Sequence, residues 1–514
     1  MSSSPLSPIA LIPLDDRPCN TRFPVEITRI AGGEILLPPP ELLGWFTRPA
    51  RCEDIANWLR SLPSSLDALV TSVDMLAYGG LVAARTTATS LDTARARLSV
   101  LREWRRAHPH VPVYAFNVIR RLAPTVDCDE MLVCSHLLQR YAILRDQVAH
   151  GGDAQLIAEL ERVEHALPAD VLADYLASRQ RNHAINAEML RWLAEGVFDF
   201  LLMPQEDCAE FGLHRAEQAA LEKEAASLGV TDRVAIHPGA DEAALTLLAR
   251  HWNRAAPRPV TFHVIYSDAE DARRIPPFED RPLRESVSQH IAAAGGVEVG
   301  EAEADVLLFV NAPTPFPRSS MNDEISVRRA EGLRPFVERI AAAISHGRRA
   351  AIADVAFPNG ADFVFVDQLR QRVPIHRLLS FAAWNTAGNT IGTVLAQCVA
   401  NSVAPQPQPL LNAQFLFARI VDDVFYQAAV RTEIEQRARE EFKASPFQLG
   451  DAWKPCERLT RQSLGALARL LFRQYFRHQA IGTPQGVAPK ELRCDISLPW
   501  GRTFEVDVDV RFET

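Results

Sequence analysis

Phe198-Asp-Phe-Leu-Leu-Met-Pro204-Gln-Glu-Asp-Cys-Ala-Glu-Phe-Gly212 is the stretch on which the reading of the fold turns. A short apolar run that stops at adjacent carboxylates, Glu206 and Asp207, reads as a buried strand whose carboxyl end opens into a polar site. Neighbouring acids raise each other's pKa and burial raises both, which is how one carboxyl stays protonated as a general acid beside a charged one. The competing reading is a helix N-terminus, where acids also collect.

The same grammar recurs on both sides of this stretch. Upstream, the run 9–14 enters Asp15, Asp16 and Arg17; 68–73 enters Asp74 and then Tyr78 and Gly79-Gly80; 111–116 enters Asn117, Arg120 and Arg121. An ion pair bracing the loop is the structural alternative for Asp15, Asp16 and Arg17. Residues 131–196 are helical throughout by their three- and four-residue apolar spacing. Downstream, 233–237 leads to Asp241 and Glu242, where Asp241 also suits a helix N-cap. The runs 260–266, 305–310, 350–353 and 378–382 end at Ser267-Asp268, Asn311, Asp354 and Trp384-Asn385.

Strand alternating with helix implies a parallel sheet covered by helices. Polar residues after at least seven strands favour a (β/α)8 TIM-like barrel, which builds its site at the carboxyl ends of all its strands, over a doubly wound sheet. Nine strand candidates are one too many for it, so one run near Val260 or Asp305 is expected to be an insertion. The expected domains are a barrel at 1–404 and an α+β appendage at 405–514: long helices, then a hairpin from 492–498 and 503–512 around Pro499-Trp500-Gly501-Arg502. The appendage is the candidate surface for a homo-oligomer.

A net charge of -9, from 55 Lys and Arg against 64 Asp and Glu, and the lack of a basic, aromatic-rich run speak against nucleic acid. The opening residues carry no basic leader and no membrane-length apolar run, so a cytoplasmic protein without membrane attachment is expected. The 8 cysteines are scattered with no Cys-x-x-Cys pair, so neither structural zinc nor disulfides are expected. No cofactor is expected either.

Leu14-Asp-Asp-Arg-Pro18 and Ala383-Trp-Asn-Thr-Ala-Gly-Asn-Thr-Ile-Gly392 resemble the motifs of an uncharacterised bacterial family of roughly this length, a resemblance that implies no activity. More distantly, Glu206-Asp207 and Trp384-Asn385 look like the paired acids and Trp-Asn of barrel β-N-acetylhexosaminidases that use substrate-assisted catalysis. That likeness implies Glu206 as orienter of a 2-acetamido group and Asp207 as general acid. The O-GlcNAcase-like pair is Asp-Asp, so the longer Glu206 departs from it.

The leading expectation is a retaining glycoside hydrolase on a small carbohydrate, with Glu206 and Asp207 catalytic. Asp15, Asp16, Arg17, Asp74, Tyr78, Asn117, Asp241, Asn311, Asp354, Trp384 and Asn385 would hold the sugar, because carboxylates and amides suit hydroxyls and rings suit the sugar face. The alternatives are a divalent-metal-dependent hydrolase or lyase, with Asp16, Asp207, His237, Asp241 and Asp354 around the ion, and a non-catalytic sugar-binding barrel.

Overall fold

The computed structural model describes residues 7–482 and 486–514. The first six residues, on which the expectation about a leader partly rests, lie outside the described residues. The chain divides into two compact units: residues up to 25 with 33–248 and 278–280, and residues 26–32 with 249–277 and 281–514.

The first unit carries a six-stranded parallel sheet of β1 (Ile9–Ile12), β2 (Ile35–Leu36), β3 (Ala68–Ser72), β4 (Val113–Phe116), β5 (Phe200–Gln205) and β6 (Val234–Pro238). Its order is β2-β1-β3-β4-β5-β6. Every residue of β1, β3, β4 and β5 is buried, as expected of parallel strands covered on both faces and the reason these runs are almost purely apolar. The helical excursion between β4 and β5 forms three helices, Asp129–Ala149, Ala154–Ala166 and Ala169–Ala194, the first two packed with the start of the third on a cluster around Leu138, Tyr141 and Tyr175.

The second unit carries β7 (Thr261–Tyr266), β8 (Val297–Glu298), β9 (Val306–Asn311), β10 (Ala350–Asp354) and β11 (Ser380–Ala382), all parallel, in the order β11-β10-β9-β7-β8. Its core runs on into the C-terminal stretch, where Phe417, Phe472, Phe476 and Phe512 pack edge-to-face or tilted against one another and lie in one cluster with Phe381. The stretch after 405, expected as an appendage packed on the barrel, lies in this unit. It ends in the antiparallel hairpin of β12 (Glu491–Ser497) and β13 (Asp507–Glu513). Between helices Pro409–Ile420 and Arg431–Glu440 the chain runs as a π-helix, Val421–Val430.

The TIM-barrel expectation is corrected. All nine apolar runs are strands, but they belong to two open sheets. The physical reason is at the start of each sheet: β1 is flanked by β2 and β3, and β7 by β8 and β9, so neither first strand has an edge left to close on a last one. Neither candidate for an inserted strand is one, since 260–266 and 305–310 pair with each other as β7 and β9. In both sheets the first strand is placed between the second and the third. The chain reverses its winding there, and in open α/β sheets ligands bind in the crevice beyond the carboxyl ends at such a switch point.

Candidate functional site

In the first unit the residues that follow β1, β3, β4, β5 and β6 form a continuous polar rim. Just past β1, Asp15 accepts from its own loop: Arg17 Nε at 3.1 and 3.0 Å, Arg17 Nη2 at 2.6 Å and Asn20 Nδ2 at 2.8 Å. The other side of the Arg17 guanidinium donates to both oxygens of Asp241, at 2.6 and 3.1 Å, across 224 residues of chain. A planar fork between two carboxylates is geometry that only arginine supplies. All three residues are buried. The loop-bracing ion pair, the structural alternative for this turn, forms, and it reaches across to the loop after β6. Asp16 is half-buried in the same turn.

After β3, Ser72 caps a short helix, Val73–Tyr78, which buries Asp74. Its carboxylate accepts from Asn117 Nδ2 at 3.1 Å and Val118 N at 2.9 Å, and Asn117 in turn accepts from Asn186 Nδ2 at 2.8 Å. Burial outweighs these hydrogen bonds, and with the nearby Glu206 charge it pushes the Asp74 pKa up to about 6. Burial likewise pushes Asp241 up to about 6, against the pull of Arg17. Tyr78 is buried with the Arg181 guanidinium 4.3 Å from its ring centre, so it sits behind the rim as packing.

After β5 the paired acids point to different arginines. Glu206 Oε1 is held by Arg85, while Oε2 is buried without a hydrogen-bond partner. Asp207 accepts from Arg121 Nη1 at 3.0 Å and has a left-handed backbone, φ 34°, which a non-glycine residue tolerates only where its surroundings impose it. Helix Ala169–Ala194 braces the loop after β4, which supplies Arg121, through Arg179, which donates to the Arg120 and Arg121 carbonyls at 2.9 Å each. After β6, Glu242 accepts from Ala240 N, and its carboxylate lies within 4.8 Å of a His237 ring nitrogen.

The loop leaving β5 holds a group that sequence spacing does not reveal. Cys208, His214 and Asp280 are all buried, and a ligand atom of each lies within 4.8 Å of the others. His214, at the start of helix Leu213–Ser227, has no well-aligned hydrogen-bond partner on either ring nitrogen; the Ala209 backbone is a weak one. Burial holds its pKa down at about 3, so the imidazole is neutral, the form a metal needs. Asp280 also accepts from Arg215 at 2.8 Å, and the Cys208 thiol lies 3.4 Å from the Phe278 carbonyl. Tetrahedral zinc places ligand atoms roughly 3.3–3.8 Å apart, so small side-chain shifts would close this set on an ion.

The residues expected to line one pocket come from both units. Asp15, Asp16, Arg17, Asp74, Asn117, Glu206, Asp207 and Asp241 share the first rim. Asn311, Asp354, Trp384 and Asn385 belong to the second unit, because β9, β10 and β11 are not strands of the first sheet. There Asn311 donates to Asp354 at 2.8 Å and Arg329 Nε to Asp362 at 2.5 Å. Burial and the Asp362 charge push Asp354 up to about 7. The π-helix inserts Asp423, which accepts from Ala383 N at 2.7 Å and Arg419 at 3.0 Å; burial pushes it up to about 8. Trp384 Nε1 donates to Thr393 at 3.2 Å, and Asn385 takes a left-handed turn, φ 53°.

The fold and site define an α/β protein of two parallel sheets, with buried ionisable clusters that offer candidate catalytic or metal-binding groups. The chain belongs to the family described as "Protein of unknown function (DUF4127)", whose model matches residues 9–509. No curated protein matches it. Among the described residues no helix is long and apolar enough to cross a membrane.

Proposed function

We propose that this chain is a divalent-metal-dependent hydrolase or lyase acting on a small polar substrate, with the metal held by Cys208, His214 and Asp280. The observation that carries the reading is that trio, assembled on the loop that also presents Glu206 and Asp207. Thiolate, imidazole and carboxylate together favour zinc, and three protein ligands leave a fourth position for water or substrate. In this reading the metal supplies a Lewis acid. Asp74, poised near pH 6, exchanges a proton, the open oxygen of Glu206 accepts a hydrogen bond from the substrate, and Arg85 and Arg121 bias the rim towards acidic substrates.

A substrate-assisted glycosidase is the narrower competing reading. It asks Glu206 to hold an acetamido group and Asp207 to give up a proton. Each is engaged by its own arginine instead, which ties up one oxygen of each carboxyl, although burial outweighs Arg121 and raises the Asp207 pKa.

The test is metal analysis of purified protein, followed by hydrolysis assays on phosphate esters, amides and glycosides before and after chelation. About one equivalent of zinc per chain is expected, lost in Cys208→Ser and His214→Ala, with turnover falling and returning with metal. Full turnover in metal-free protein sinks the reading, as does metal whose removal lowers only the melting temperature.

A further inference from the structure

We propose that the crevice at the β7/β9 switch point of the second unit binds a small neutral polyhydroxylated molecule of monosaccharide size. The inference is independent of the reaction assigned to the first unit.

A cavity of about 270 Å³ opens just beyond the carboxyl ends of β7 and β9, where the winding of the second sheet reverses. This is space enough for one sugar ring. Ser267 and Asp268, directly after β7, form one wall; Thr314 and Phe316, after β9, form another; Arg328 and Arg329 come from helix Asp323–Ser345.

The donors and acceptors match hydroxyl groups. The Ser267 oxygen accepts from Ala312 N at 2.9 Å and the Thr314 oxygen from Phe316 N at 3.3 Å, which leaves each hydroxyl proton to donate. Asp268 uses Oδ1 to cap its own turn, accepting from Glu270 N and Asp271 N at 2.8 and 3.0 Å, which leaves Oδ2 as an acceptor for a pair of hydroxyls. Phe316 keeps 46 % of its surface exposed, a flat apolar platform beside polar groups.

The charges argue for a neutral ligand. Arg329 is bound to Asp362, Arg328 to Glu324, and Asp271 to Arg274, so the wall balances its own ions. A phosphate would have to compete with Glu324 for Arg328 and with Asp362 for Arg329, and it would meet Asp268. A cation would find only that single carboxylate, beside two arginines.

The experiment is titration of the full chain, followed by calorimetry and saturation-transfer NMR, with glucose, N-acetylglucosamine, glucose 6-phosphate and glutamate. The neutral sugars should bind. Phe316→Ala and Asp268→Ser should each weaken them by about tenfold, the loss of one good contact. Because both side chains are at the surface, melting temperatures should not move. Turnover and metal content should not move either, which separates failure here from failure of the first-unit reading. The proposal is overturned if no neutral sugar binds, if the phosphorylated sugar or glutamate binds in preference, or if both variants bind as the parent does.

Discussion

The two sheets wind in the same order around their first strands, yet their rims treat charge in opposite ways. In the first unit, carboxylates face arginines: Arg17 lies between Asp15 and Asp241, Arg85 holds Glu206 and Arg121 holds Asp207. In the second, acids face acids. Asp354 lies beside Asp362, and Asp423 beside Asp422, with Arg329 and Arg419 as the inner cations. The outcome is a first rim whose raised carboxyls titrate near pH 6 and a second that holds protons up to about 7 and 8. Topology places polar groups at a switch point. Only the side chains decide whether the place is ionic or proton-bearing.

The sharpest way to break this contrast is to remove the central cation of the first rim. Arg17→Met leaves two buried carboxylates facing each other, and the expected loss is about 3–5 kcal/mol in urea unfolding. A loss under about 1 kcal/mol would mean that water, not the arginine, balances that pair.

The second test concerns pH. Asp354 and Asp423 are raised in the folded state from an ordinary value of 3.8, so the fold binds protons that the unfolded chain releases. Their stabilising contribution is fully present below about pH 4 and is lost as pH rises through 7 and 8. Asp74 and Asp241, raised to about 6, are about nine-tenths ionised by pH 7, so the slope between pH 7 and 8 falls mainly to the second unit. It should be up to about 1.4 kcal/mol per pH unit for each proton retained. Asp423→Asn should flatten it, whichever way the level moves; an unchanged slope would refute the proton-bearing rim.

The smallest effect separates backbone from charge. Asp207 and Asn385 both have left-handed backbones, one at each rim. Gly should exceed Ala at each position by about 1 kcal/mol in thermal unfolding, the reverse of the usual order, because both substitutions remove the same side-chain contacts and differ in strain. Equal Gly and Ala variants would put the strain elsewhere.

Strand position was legible because each apolar run ends abruptly at a polar residue. Sheet number was not. What decides it is which strands lie beside β1 and β7, and two of those neighbours, β2 and β8, are two residues long; Val297 and Glu298 are both exposed, with no alternation to read. Asp15, Arg17, Asp74, Asn117, Glu206, Asp207 and Asp241 were legible as strand-end residues. Arg179 and Asn186 were not, because they lie mid-helix, where polar residues normally face water. Asp280 returns to Cys208 from more than seventy positions away, and no local spacing encodes that. The one sequence hint was a histidine, His214, six positions after Cys208.

The π-helix has its own bearing on engineering and descent. A turn of π-helix holds about one residue more than an α-turn, and each residue of an α-helix rotates the chain by ~100°. Deleting a single residue between Val421 and Val430 would let the segment relax into continuous α-helix. That would turn helix Arg431–Glu440 by about a quarter of a revolution relative to Pro409–Ile420. Asp423 would then leave Ala383, and its proton would go with it. Length variation among relatives should therefore be far rarer inside these ten positions than in the loops around them, and a shortened relative should lack the acid altogether.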